Sequence, residues 1–173
     1  MSQRDESTDH ILGQEFLTWL WYQSDTTPGA FTDTDGAPFS VSMEQRIVVQ
    51  GGEGSARETA SVSGTSSPLR EARFGLGTGK KVTRAQLRIE KDGAEFQVTL
   101  RAEDLCLSSL KTPKLDAADK NADPDALLLE KIYLMGICTG MLDSLYARFL
   151  RLRLSEDWLT EVTRIGQWLT KIA

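Results

Sequence analysis

The strongest constraint in this chain is a two-residue turn between two alternating segments. In 82–90, Ala85, Leu87 and Ile89 alternate with Arg84, Gln86, Arg88 and Glu90. In 94–101, Phe96, Val98 and Leu100 alternate with Glu95, Gln97, Thr99 and Arg101. Successive strand side chains point to opposite faces, so each segment has one oily face and one polar face. Asp92-Gly93 between them suits a hairpin turn with positive φ at both positions. Such a hairpin implies an antiparallel sheet with helices on one side and water or a partner on the other.

A second alternation runs over 39–50, with Phe39, Val41, Met43, Ile47 and Val49 on one face and Gln45 out of pattern. Glycines at 51, 52 and 54 turn the chain, and 57–63 is expected as the return strand. Helical spacing appears elsewhere. Residues 8–24 place Ile11, Leu12, Phe16, Trp19 and Leu20 on one stripe, with Leu17 and Trp21 off it. A helix apolar on more than one face is either buried between two layers of its own chain or docks a partner through Leu17 and Trp21. Residues 25–38 form a turn-rich loop. Ser67-Pro68 starts a short helix over 68–76. Residues 125–153 form a long helix whose stripe includes Leu128, Ile132, Met135, Leu142, Leu145, Phe149 and Leu152. Ser155 caps a last helix with Trp158, Val162, Ile165, Leu169 and Ile172 on its stripe.

The predicted fold is therefore α+β. An antiparallel sheet of about four strands, in two hairpins, is covered on one face by an N-terminal, a long and a C-terminal helix. A length of 173 residues suits a single domain over 1–173, with a disordered arm at 1–8 and a flexible loop at 111–124. The expected core is Leu12, Phe16, Leu20, Val41, Leu87, Ile89, Phe96, Val98, Leu100, Ile132, Met135, Leu142, Phe149, Trp158 and Ile165.

Composition removes several function classes. Cys106 and Cys138 are far apart and sit among apolar residues, as reduced thiols of a cytoplasmic protein do. One histidine, His10, excludes any two-histidine metal site. The longest uncharged run in the apolar region 126–154 is 132–142, short of the about 20 residues that a membrane span needs. No secretory leader is evident in MSQRDESTD.

Three local motifs invite chemistry and fail on spacing. GLGTGKK at 75–81 puts Phe74 and Lys81 where a phosphate loop needs glycine and a hydroxyl. DTDG at 33–36 puts Phe31 and Ser42 at key positions of a calcium loop, which leaves a surface turn. Glu103-Asp104 and the cluster Asp116, Asp119, Asp123 and Asp125 read as a strand-end turn and solvated charge. No metal, cofactor or small-molecule substrate is expected.

Charge is unevenly distributed. The net charge of −5 argues against a simple basic nucleic-acid binder. Yet residues 70–91 hold seven basic residues against Glu71 and Glu90, a net of +5. Arg70, Arg73, Lys80, Lys81, Arg84 and Arg88 are the candidate contacts for a phosphate backbone. The competing reading is a soluble polar face balanced by Glu90 and Glu95. Exposed aromatics for base stacking are missing from the strip, so single-strand reading is not expected. Arg148, Arg151 and Arg153 complement the dipole at the end of the long helix.

Three segments resemble the RdgC family of bacterial recombination-associated proteins, chiefly the C-terminal part of longer members. They are LGQEFLTWLW at 12–21, KKVTRAQLRIEKDGAEFQVTLRAEDLCLSSLK at 80–111 and FLRLRLSEDW at 149–158. The resemblance implies duplex DNA binding without sequence choice, a ring-like homodimer around DNA and restraint of RecA-driven strand exchange. It implies a cytoplasmic, nucleoid-associated location. The chain departs from the family in its length, in its acidic charge and in Ser108 and Ser109, which stand where relatives carry a basic pair. The first expectation is thus a non-enzymatic DNA-associated protein. The alternative is an interaction or oligomerisation module that kept the fold without DNA binding. A metal-dependent nuclease, tested at Asp104, is the third.

Overall fold

The computed structural model describes residues 9–51, 58–63, 81–114 and 123–171. The expected helix at 68–76, the glycine-rich run before Lys81, the arm at 1–8 and most of the loop at 111–124 lie outside them, as do Arg70, Arg73 and Lys80. The described elements are α1 (Asp9–Thr26), β1 (Phe31–Thr32), β2 (Pro38–Gly51), β3 (Glu58–Ser63), β4 (Lys81–Lys91), β5 (Ala94–Arg101) and β6 (Leu107–Lys111). Two helices follow, α2 (Pro124–Arg153) and α3 (Trp158–Thr170). The fold is α+β, with an antiparallel sheet of six strands rather than about four. The order is β1-β2-β4-β5-β6, and β3 also pairs with β2.

The β4–β5 hairpin forms where its pattern places it. Lys91 pairs with Ala94, and Asp92 and Gly93 adopt φ of 52° and 77°. Positive φ at both turn positions matches the right-handed twist of the strands. The neighbouring β2–β4 pairing is less regular. Four steps along β2, from Met43 to Ile47, face two along β4, from Leu87 to Ala85. Gln45 falls in this irregularity, and Ile47 takes the buried place opposite Ala85 that regular pairing would give to Gln45. A second shift near Val48 sets Val82 opposite Val49, both buried.

α1 lies between the sheet and the two later helices. Its neighbours are β2 and β4 on one side and α2 and α3 on the other. Gly13 makes the sheet contact possible, because a Cβ there would stand 1.9 Å from the Ala102 carbonyl oxygen. On the other side, Phe16 and Trp19 lie 5.4 and 5.7 Å from the Phe149 ring, and Trp21 meets Trp168 edge-on at 5.7 Å. Leu17 and Trp21 are 0% and 4% exposed. They belong to the chain's own core, so neither is the docking face anticipated for them.

Three residues of the expected core face solvent: Leu12, Ile132 and Met135. The last two have a geometric cause. α2 has 30 residues and α1 has 18, or about 45 and 27 Å at 1.5 Å per residue. The longer helix's fully buried residues begin at Cys138. Leu134 and Ile137 already pack on the core at the height of Met135, so Ile132 and Met135 are exposed because they lie on the side of the helix turned away from it. The last helix also differs from its expected cap. Ser155 sits in the turn before it, accepting from the Asp157 N–H at 3.3 Å and donating to Leu152. Val162 is exposed, while Glu161 and Trp168 turn inward. The buried Glu161 carboxylate accepts from Gln23 at 3.0 Å.

Candidate nucleic-acid interface

The polar face of β4 and β5 is built by period-two alternation, which sends Arg84, Gln86, Arg88 and Glu90 to the side opposite the buried Ala85, Leu87 and Ile89. Register then sets residues across from one another. Arg84 pairs with Arg101, Gln86 with Thr99, Arg88 with Gln97 and Glu90 with Glu95. Two like-charge pairs therefore sit at opposite ends of one hairpin face, about 20 Å apart at 3.3 Å per residue. Like charges directly opposite each other destabilise a sheet unless they are compensated.

The acidic pair is compensated within the chain. Arg88 Nη2 lies 2.9 Å from Glu90 and 2.7 Å from Glu95. This guanidinium bridges two carboxylates, and an incoming phosphate would have to displace them. The basic pair is only half compensated. Arg101 donates to both oxygens of Asp104, at 3.0 and 2.5 Å. That contact, helped by the Cys106 N–H, lowers the Asp104 pKa to about 2. Arg84 is exposed and makes no ion pair among the described residues. Asp104 thus organises the turn after β5, the role expected from its place at a strand end.

The described members of the candidate strip do not stay together. Arg84 and Arg88 share the open face, but Lys81 lines a groove of about 340 Å³ with Gln14, Glu15 and Thr18 of α1 and Trp158, Val162 and Ile165 of α3. The arginines at the end of α2 do more than complement a dipole. Arg148 donates to the Ala30 carbonyl at 3.0 Å and lies 5.5 Å from the Phe31 ring centre. Arg153 pairs with Glu15 at 2.6 Å and lies over Trp158. Spacing missed Arg101 as a partner of Arg84, because only the hairpin register brings residues 17 apart into one pair. With the turn fixed at 92–93, that register could have been counted from the sequence.

Acidic turns likewise have local work. Asp33 accepts from the Asp35 and Ala37 N–H groups at 2.9 and 2.8 Å and pairs with Lys91. The Lys91 contact holds its carboxyl below the ordinary value of 3.8. Asp123 caps α2 by accepting from the Asp125 N–H at 3.1 Å. Among the described residues no three His, Cys, Asp or Glu side chains form a group that could hold a metal ion. No helix among them is long and apolar enough to cross a membrane. Comparison with protein-family models, curated proteins and solved structures finds no match for this chain.

Proposed function

We propose that the chain is a non-enzymatic, RdgC-like DNA-associated protein that holds duplex phosphates at the Arg84 end of its sheet without reading sequence. The carrying observation is the Arg84–Arg101 cross-strand pair, in which Asp104 holds Arg101 and Arg84 makes no ion pair among the described residues. A phosphate supplies the missing negative charge and accepts the planar donors of arginine. Phosphate contacts position a protein on DNA and carry no sequence information. The resemblance of 80–111 to the RdgC family supports the same reading and adds a place for it, in recombination. The contact set is Arg84 with Arg70, Arg73 and Lys80, which precede β4 in the chain. Arg88 and Lys81 leave the set, one bridged by carboxylates and the other in the α1–α3 groove.

Salt-titrated binding to a duplex tests this. Four neutralised phosphates give a log K against log salt slope of about −3.6. Arg84→Glu weakens binding about tenfold or more, whereas Arg88→Gln leaves it nearly unchanged. Failure of micromolar protein to retard duplex DNA at about 50 mM salt would sink the reading. The alternative, an assembly module, is favoured by a different observation, the bare apolar half of α2.

A further inference from the structure

We propose that the cleft between the β1–β2 turn and the later half of α2 binds a sugar phosphate, with Arg148 and Arg151 on its phosphate and Asp143 on a sugar hydroxyl. The proposal does not depend on DNA binding at Arg84. The cleft measures about 400 Å³, within the range of small-molecule sites. Phe31 and Leu145 are its buried apolar lining, and Thr32, Thr34 and Ser144 add hydroxyls. Arg148 and Arg151 line it one helical turn apart, and like charges at that spacing repel. Their other neighbours three and four residues away are Ser144, Leu145, Leu152, Ala147, Leu154 and Ser155, none of them acidic. Arg88, Arg101, Arg153 and Arg164 each meet a carboxylate, whereas Arg148 and Arg151 meet none among the described residues. The helix dipole answers them with only about half a charge.

Arg148 is ordered before any ligand arrives. Its guanidinium lies 5.9 Å from the Trp19 ring centre and 5.5 Å from that of Phe31, and Nη1 donates to the Ala30 carbonyl at 3.0 Å. That bond leaves the other donors of the fork for a ligand, and the fixed side chain loses little further freedom on binding. Arg151 reaches only the Ala147 carbonyl, at 3.4 Å. Two positive charges match a phosphomonoester, which carries about −1.5 to −2 near pH 7 and offers three terminal oxygens. A carboxylate ligand offers one charge and two oxygens. The acids of the cleft restrict the rest of the molecule. Asp33 is engaged by Lys91 and by the Asp35 and Ala37 N–H groups. Asp143 is exposed and makes no ion pair among the described residues. It precedes Arg148 by about 7.5 Å along the helix axis, at 1.5 Å per residue. A carboxylate there accepts from a hydroxyl and repels a second anion, so it favours a neutral sugar over a further phosphate.

Calorimetric titration of the full chain with ribose 5-phosphate tests this, with one site of Kd below about 1 mM expected and no binding of ribose. Arg151→Gln is expected to weaken binding about tenfold or more. Its far-UV spectrum should match the parent, because the side chain is exposed. Arg148→Lys keeps the charge, loses the planar fork and is expected to weaken binding as well. Arg84→Glu, on the open face of the sheet, leaves it unchanged. No binding at about 5 mM ribose 5-phosphate overturns the proposal, as does binding that survives Arg151→Gln. Inorganic phosphate held as tightly as ribose 5-phosphate also overturns it, because the cleft then recognises no sugar. A duplex that gains affinity from a 5′-phosphate, and loses that gain in Arg151→Gln, assigns the cleft to DNA ends and overturns it too.

Discussion

Residues 138–153 and 124–137 of α2 carry similar apolar side chains at helical spacing and end in different environments. In the later half, Cys138, Met141, Leu142, Leu145 and Phe149 are buried. In the earlier half, Leu128, Leu129, Ile132 and Tyr133 are more than half exposed. The later half is also tied down by polar contacts. Ser144 donates to the Thr32 carbonyl at 3.0 Å, and Arg148 donates to Ala30. The difference teaches that an apolar stripe states a need for cover but not what supplies it. α1 and the β1 loop cover one half, while Leu128, Leu129, Ile132 and Tyr133 of the other face outward.

Substitution separates the halves most strongly at Phe149, whose ring touches Phe16, Trp19, Tyr146 and Trp158. Phe149→Ala is expected to cost about 3–5 kcal/mol in urea unfolding. A loss below about 1 kcal/mol would erase the distinction between the halves. Asp123→Ala removes the cap of the overhanging half and is expected to cost about 1 kcal/mol. Its signature is faster amide exchange over 124–130, with the amides of 141–149 unchanged.

Acid acts on the anchored side. Asp33 holds the β1–β2 turn and pairs with Lys91, and its carboxyl is held below 3.8 in the folded chain. A depressed carboxyl adds stability that is present above the unfolded value and fades as pH falls through the folded one. Asp33→Asn keeps the backbone acceptor but removes this charge. The variant is expected to unfold more easily at pH 7, with the gap to the parent closing below about pH 4. A gap that stays constant down to pH 2 would show that the ion pair contributes nothing. Ile132→Ala, at an exposed position, should shift stability by less than about 0.5 kcal/mol. A larger loss there would mean that the overhanging half is covered within its own chain.

Legibility followed the range of the interactions. The β4–β5 hairpin was readable because period-two alternation and a positive-φ turn act within a few residues. β6 was not, since Leu107-Ser-Ser-Leu-Lys111 has no alternation and joins β5 through its backbone at the sheet edge. β1 is two residues inside a proline- and glycine-rich loop, held by pairing with Pro38 and Phe39. At the candidate site, the basic strip was visible as composition, but the states of its members were not. Arg84 and Arg88 are equivalent in the pattern, yet their cross-strand neighbours are Arg101 and Gln97, with Glu95 close enough to bridge Arg88.

The sequence alone determined the α+β class, the antiparallel hairpin and the helices, because local backbone preference and side-chain periodicity act over one turn or one strand. Tertiary structure decided which apolar faces are covered and which charges stay free. Leu17 and Trp21 became core because α1 is enclosed on both sides, and Ile132 stayed bare because it lies on the side of α2 turned away from the core on which Leu134 and Ile137 pack. Burial and charge compensation depend on what lies across a gap in space, and one chain segment does not encode that by itself.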